Sequence, residues 1–268
     1  MMGVLNVTPD SFFDGGKYFQ KEAAVGRAFE MAVQGADLID VGGESTRPGA
    51  RPVSADDEWR RVGPVIETLS REGFSLPISV DTYKAIVAKK ALEAGAAIVN
   101  DVTALKDPKM AEAVKESGAG VVLMHMQGTP ATMQNKPQYK DVAGEIAAYL
   151  REKIEYAKAC GIFEEQIAVD PGLGFGKTVD HNLAILARLA EFESLGRPIV
   201  VGPSRKSFIE KTLGADATDK RTAEIVNLAG TAAVVANAVA KGARIVRVHD
   251  VQLIAPMVRM LAALGKRD

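Results

Sequence analysis

Four segments of this chain share one layout: "VQGADLIDVGGE", "LEAGAAIVNDV", "KESGAGVVLMH" and "AKGARIVRVHD". In each, a helix-type pattern stops at a glycine (Gly35, Gly95, Gly118 or Gly242) and a β-rich apolar run follows at once. Glycine suits the left-handed position just past a helix, so each segment reads as a helix-to-strand joint. Runs such as "GVVLM" and "PIVVG" lack the alternation of a half-wet strand, as expected of a parallel sheet covered on both faces. By this rule strands fall near 3–7, 38–41, 77–80, 97–99, 120–124, 167–169, 198–202 and 245–248. Helical patterns fall near 20–34, 56–72, 84–93, 108–117, 141–159, 180–191, 218–241 and 251–264. Eight βα units favour a closed (β/α)8 TIM barrel of the α/β class over an open doubly wound sheet. No linker or low-complexity tract breaks the pattern, so residues 1–268 are expected to form a single domain.

Charge narrows the partners. Lys plus Arg (33) nearly balances Asp plus Glu (34), so no overall field draws the chain to nucleic acid or to an anionic membrane. Any anion site must be local. A single cysteine, Cys160, forms no internal disulfide, and no basic-then-apolar leader opens the sequence, which points to a reducing, cytoplasmic setting. The most apolar helical stretch, "GTAAVVANAVAKG", is interrupted by Asn237 and falls short of the roughly 20 residues a bilayer needs, so no membrane span is expected.

A barrel gathers its site where the strands end, at the C-terminal face. There the sequence places Asn6, Asp40, Asp81, Asn100 with Asp101, His125, Asp170, Ser204 to Lys206, and His249 with Asp250. One such residue is more often a cap or turn former than a catalyst, but chemically active types at every strand end point to a shared mouth. In "VGPSRKSFIEK" a strand breaks at Gly202-Pro203 and leads through Lys206 and Ser207 into a short helix, whose free N–H groups suit a phosphate or carboxylate. Arg247 and His249, two apart in "IVRVHD", share a strand face and can both face an anion, unless Arg247 serves as a salt bridge at the rim. In "IAVDPGLGFGKT" an inward Asp170 beside Phe175 suits a flat heterocycle with paired N–H donors. Three histidines, spaced at 125, 181 and 249 with no Cys/His cluster, give no tightly held zinc, and His181 reads as structural. Asn6 with Asp14 offers hard oxygens suited to a magnesium ion shared with substrate phosphate.

These blocks, "GVLNVTPDSFFDGG", "IDVGGESTRPGA", "SVDTYK", "VNDV", "LMHMQGTP", "DPGLGFGK", "GPSRKSF" and "RVHDV", occur in order along nearly the whole chain, which resembles the dihydropteroate synthase family. The resemblance implies a TIM barrel, commonly a homodimer working with Mg²⁺. It condenses 6-hydroxymethyl-7,8-dihydropterin diphosphate with 4-aminobenzoate, releasing pyrophosphate and giving 7,8-dihydropteroate for folate synthesis. By matched position it implies a pterin pocket of Asp81, Asn100, Met124, Asp170, Phe175 and Lys206. It implies a diphosphate site of Asn6, Thr46, Arg247 and His249, with Asn6 and Asp14 toward the metal. Phe12, Arg47, Pro48 and Ser207 are implied for 4-aminobenzoate. Lys206, Arg247 and His249 are the residues expected to carry catalysis. Phe13 stands where the family commonly has a small residue, and Leu173 where an aromatic often sits. The family also commonly carries a further segment before the first strand, so either the barrel floor is less well plugged here or the sequence is trimmed at its start. A methyltetrahydrofolate-dependent methyltransferase barrel would share the pterin residues but needs no "SRKS" and "RVHD" anion site. A catalytically silent paralogue would have lost loop or anion residues, and none is lost.

Overall fold

Eight parallel strands close on one another in chain order in the computed structural model, which describes residues 1–8, 17–45, 49–214 and 220–265. They are β1 (Met2–Asn6), β2 (Leu38–Gly42), β3 (Ile78–Asp81), β4 (Ile98–Asp101), β5 (Gly120–Met124), β6 (Ile167–Asp170), β7 (Ile199–Val201) and β8 (Ala243–Val248). Between them run α1 (Lys17–Gln34), α2 (Ala55–Arg71), α3 (Ala85–Glu93), α4 (Pro108–Ser117), α5 (Val142–Ala159) and α6 (Val179–Ala187). Two helices, α7 (Ser207–Leu213) and α8 (Lys220–Ala240), follow β7, and α9 (Val251–Leu264) follows β8. The barrel is the one expected from the sequence. All four joint glycines hold positive φ, +105° at Gly35, +113° at Gly95, +69° at Gly118 and +93° at Gly242.

Alternation along each strand divides the residues between two environments. Ile39 and Val41, Ile78 and Val80, Val121 and Leu123, Ile167 and Val169, and Val246 and Val248 belong to the large core between sheet and helices. The alternate positions face the barrel axis and carry Asp40, Ser79, Asp81, Asn100, Asp170 and Arg247. Polar residues thus occupy the interior of the barrel toward its C-terminal mouth, while the helices cover an apolar outer wall. Strand β2 runs to Gly42, so Asp40 lies within the strand rather than at its end, with Ser79 as its register partner on β3.

Two helical segments depart from the sequence reading. The pattern expected near 180–191 ends as an α-helix at Ala187 and continues as a 3₁₀ segment over Leu189–Leu195. The Arg188 amide is shared between the carbonyls of Ala184 and Ile185, at 3.1 and 3.2 Å, where the helix tightens. Residues 221–240 of α8 are long and apolar enough to cross a bilayer, which removes the length argument drawn from its shorter central stretch. The helix packs in the outer ring against α7, α9 and β8, with 22% of its apolar stretch buried there.

Candidate active site

The interior charges form one network. Arg247 on β8 donates from Nε to Asp40 Oδ2 at 2.6 Å and from a terminal nitrogen to Asp81 Oδ2 at 2.7 Å. Asp40, fully buried, also accepts from Ser79 Oγ at 2.6 Å and from Asn100 Nδ2 at 3.0 Å. Four strands are therefore tied across the barrel by one carboxylate and one guanidinium. Burial works against the charge on Arg247, but Asp40 and Asp81 outweigh it and raise its pKa above the usual arginine range. Burial pushes Asp81 up to about 7, against the pull of Arg247 and with the help of neighbouring Asp40. Asp81 Oδ1 is buried without a hydrogen-bond partner, a costly position for a carboxylate oxygen unless a ligand meets it.

Beside this network a buried acid and an apolar wall together make the candidate slot. Asp170 closes β6 with 7% of its surface exposed, and its Oδ1 accepts the Gly172 N–H at 2.6 Å, leaving Oδ2 for a ligand. Burial raises its pKa, opposed by that N–H and then by Lys206, Lys177 and Arg247. Met124 and Phe175 belong to a small apolar cluster with Val102 and Met133, on which Tyr83 and Met126 pack. Lys206 Nζ stands 3.9 Å from the centre of the Phe175 ring, a cation over an aromatic face. A cavity of about 1120 Å³ lies on the β2 to β5 side, lined in part by Glu44, Tyr83, Val102 and Met126 but not by Asp170, Phe175 or Lys206.

Across the mouth, His249 Nδ1 lies 3.0 Å from Ser204 Oγ and its Nε2 lies 3.3 Å from Asn6 Nδ2. With Asn6 as donor, Nε2 is the acceptor and the ring proton sits on Nδ1 toward Ser204. Arg205 adopts φ +60°, rare for a residue with a side chain, and its guanidinium bridges to Asp250 at 2.8 Å. That bridge joins the β7–α7 connection to the residue after His249, so the "SRKS" and "HD" motifs are held as one rim. Ser207 opens α7 and is exposed.

The structure thus gathers Asn6, Asp81, Asn100, Met124, Asp170, Phe175, Lys206, Ser207, Arg247 and His249 at the C-terminal end of the barrel. Phe12, Asp14, Thr46, Arg47 and Pro48 lie outside the described residues, as does Phe13. Arg247 lies in β8 but His249 follows its last residue, Val248, so the two do not share the expected strand face; Arg247 joins two carboxylates and His249 joins Asn6 and Ser204. The salt bridge held open in the sequence is present, but it lies inside the barrel rather than at its rim. Asp101 turns out to be a structural cap: its carboxylate accepts from the Thr103 and Leu105 amides, at 2.8 and 2.7 Å, holding a turn in which Ala104 and Leu105 take positive φ. His181 caps α6 together with Thr178, and Leu173 is buried in the main core rather than in the slot. The sequence marks Asp40 only as a strand end, although an Asp inside the apolar run "LIDVGG" is itself the signal of an inward charge needing a partner.

A closed parallel barrel with a buried carboxylate, an apolar wall and a cluster of cations at its mouth defines an enzyme of the TIM-barrel class built to hold a flat, polar-edged heterocycle. A model of pterin binding enzymes matches residues 2–249. The dihydropteroate synthase of Bacillus subtilis is 46% identical over 267 residues, covering 98% of this chain and 88% of that protein. The Xanthomonas albilineans dihydropteroate synthase with 4-aminobenzoic acid superposes with a TM-score of 0.91 at 42% identity, covering 100% of this chain and 93% of that one. The same organism's enzyme in complex with 7,8-dihydropteroate gives 0.88 at 39% identity, over 100% and 94% of the two chains. The chain belongs to the dihydropteroate synthase family.

Proposed function

We propose that the barrel mouth joins 6-hydroxymethyl-7,8-dihydropterin diphosphate to 4-aminobenzoate, forming a C–N bond and releasing pyrophosphate, and that residues 1–268 act as one pterin-binding domain. The observation that carries this reading is the slot itself, in which the buried Asp170 presents a carboxylate oxygen beside the Met124 and Phe175 wall. A 2-amino-pyrimidinone edge offers two parallel N–H donors to such a carboxylate, and the ring fills the apolar gap. Asn100 and Asp81 supply further polar contacts, and the unpartnered Asp81 Oδ1 meets the ring's remaining donors. Lys206, held over Phe175, faces the ring's acceptor side.

The amine of 4-aminobenzoate is a weak nucleophile, so the reaction gains most from weakening the C–O bond to diphosphate before attack. As that bond lengthens, negative charge grows on the leaving group and positive charge on the pterin methylene. His249, with Arg247 and the α7 N-terminus, stabilises the first, while the carboxylates of Asp81 and Asp170 stabilise the second. The path is SN1-like, and the anilinium formed on attack is acidic enough to lose its proton without a dedicated base. Ser207 at the start of α7 receives the aminobenzoate carboxylate, with Phe12, Arg47 and Pro48 closing over its ring.

Magnesium fits the donors present. Asn6 uses its amide nitrogen toward His249, so its Oδ1 remains as a hard oxygen donor at the diphosphate side. Among the described residues no cluster of three acidic, histidine or cysteine ligands occurs, which suits an ion held mainly by substrate oxygens and water with Asn6 and Asp14 alongside. When bound, the ion would neutralise charge developing on the leaving diphosphate. Exposed Leu213, Ile225, Leu253, Met260 and Leu264 on α7, α8 and α9 supply an apolar face for a homodimer. The lone Cys160 suits a cytoplasmic setting. The test is pyrophosphate release from the pterin diphosphate. The proposal requires that it depend on both 4-aminobenzoate and magnesium, and release indifferent to aminobenzoate would refute it.

A further inference from the structure

Directly behind the slot sits a buried cation that the chemistry above does not use. Lys177, two residues past Phe175, has 3% of its surface exposed and forms no ion pair among the described residues. An ammonium is seldom buried without a carboxylate, so its protons must be satisfied in another way. Its Nζ lies 3.0 Å from His125 Nδ1, 2.9 Å from the Phe175 carbonyl and 3.4 Å from the His125 carbonyl. Three acceptors match three ammonium protons. The His125 ring is itself fixed, edge-on to Tyr149 at 5.0 Å and tilted against Tyr139 at 6.0 Å. The Tyr139 hydroxyl in turn donates to the Gly176 carbonyl at 2.9 Å.

We infer that Lys177 is a positioning residue for the heterocycle slot: through His125 it clamps the glycine-rich turn after β6 to the end of β5, fixing Phe175, and it places a positive charge behind Asp170. The turn is also held from outside by Asn182, whose Oδ1 accepts the Gly174 N–H at 2.7 Å, and by Gln134, which donates to the Gly174 carbonyl at 2.7 Å, but neither of these reaches Phe175. Gly172 and Gly174 lie in it with φ +70° and +81°, conformations that restrain nothing by themselves. The Lys177 bond to the Phe175 carbonyl is the clamp's direct hold on the aromatic wall, at the far end of the segment that begins at Asp170.

The groups facing Lys177 fix the sign of its electrical effect. Asp170 faces it from β6, His125 from the end of β5 and Lys206 from the β7–α7 connection. Tyr139 and Tyr149 lie beyond His125, with His181 against Tyr139 at 5.0 Å. Burial lowers Lys177 to about 7, with Asp170 opposing and Lys206 reinforcing. Burial, then Lys177, lowers His125 to about 3, so its imidazole is a neutral acceptor near neutral pH. The two tyrosines are each pushed up to about 12 and stay neutral. Among the described acids, charged Lys177 acts on Asp170, favouring its ionised form, the form that accepts two N–H bonds.

The inference rests on the slot assignment of the proposed function. Two pairs of substitutions in the full chain test it: Lys177→Met against Asp170→Ala, and His125→Asn against His125→Phe. Asn keeps a short-range acceptor for Lys177, and Phe keeps only the ring. Lys177→Met is expected to raise KM for the pterin diphosphate about tenfold and leave KM for 4-aminobenzoate within about twofold. It should also move the acid limb of kcat/KM for the pterin to higher pH, because Asp170 then protonates more readily. His125→Phe should reproduce the KM effect and His125→Asn should retain most of the affinity. A normal pterin KM and an unmoved acid limb in Lys177→Met, with Asp170→Ala impaired, overturn the role of Lys177 and leave the slot standing. Normal pterin binding by Asp170→Ala overturns the slot itself. Should Lys177→Met fail to fold, equal pterin KM values in the two His125 variants overturn the clamp.

Discussion

Arg247 and Asp40 stand 207 residues apart in the chain and meet at 2.6 Å inside the barrel, where the guanidinium also reaches Asp81. The pair joins the last strand to the second and third, so it belongs to the closure of the barrel as well as to its mouth. Removing the cation leaves two buried carboxylates facing each other. Arg247→Ala is therefore expected to lower stability by about 3–5 kcal/mol, the usual consequence of leaving buried charge uncompensated. It should also cut pyrophosphate release about a hundredfold or more through loss of electrostatic stabilisation. Urea midpoints and steady-state rates check the two effects separately, and a variant that is inactive but fully stable would mean that Asp40 and Asp81 need no counterion.

The raised pKa of Asp81 makes a prediction about pH. The native carboxyl holds its proton up to about 7, whereas the unfolded value is 3.8, because burial outweighs the attraction of Arg247. Between those values the native state binds a proton that the unfolded chain has lost, so this group's contribution to stability falls as pH rises through the window. Asp81→Asn cannot titrate and should show a flatter stability profile between about pH 4 and 7 than the parent protein. Denaturant midpoints measured across that range decide it, and parallel profiles would place the perturbed proton elsewhere.

Strands and helices were legible because a parallel barrel writes its strands as apolar runs and its joints as glycines, both local signals. The positions of Asp170, Lys206 and Arg247 at strand ends were legible for the same reason. What the local pattern does not carry is pairing. Nothing in "LIDVGG" names Arg247 as the partner of Asp40, since barrel closure alone brings β8 beside β1 and so near β2. His125 reads only as a strand end, with no sign of its partner, and Lys177 carries no signal at all, because a lysine closing a glycine-rich turn reads as solvent-facing until the turn is folded over it. Asp101 shows the opposite case, a strand-end acid spent on its own backbone amides.

Lys206 and Phe175 offer a sharper test of the slot. The ammonium sits 3.9 Å from the ring centre, so each orders the other before any ligand arrives. Lys206→Met keeps the length of the side chain and removes the charge. Its pterin affinity is expected to fall about tenfold to a hundredfold, as for the loss of a charged hydrogen bond in a buried site. Phe175→Leu, which leaves the charge and removes the ring, should fall by less. Calorimetry on both variants checks the order, and a larger loss for Phe175→Leu would make stacking, not charge, the dominant contact.

Asn6 links the metal reading to a measurable quantity. Its side chain meets His249 at 3.3 Å and offers an oxygen on its other side. Asn6→Ala should raise the magnesium concentration needed for half-maximal activity about tenfold while leaving pterin binding in the absence of metal unchanged. A magnesium titration at saturating substrate gives the answer, and an unaltered requirement would remove Asn6 from the ion.

Gly172 is where fold and site constrain the same residue most tightly. Its φ is +70°, and a Cβ there would stand 2.0 Å from the His125 carbonyl oxygen, a backbone atom that cannot swing aside. Its amide donates the 2.6 Å bond that orients Asp170. Gly118 has almost the same φ, +69°, but a Cβ there meets nothing within 4 Å. The two glycines thus separate backbone strain from collision. Gly118→Ala is expected to lose about 1–2 kcal/mol, the penalty for a side chain in the left-handed region. Gly172→Ala should lose more than that and weaken pterin binding as well, because the turn must move off His125 and take the Asp170 contact with it. Equal loss of stability in the two variants, with pterin affinity intact in Gly172→Ala, would show that the turn can relax without disturbing the carboxylate.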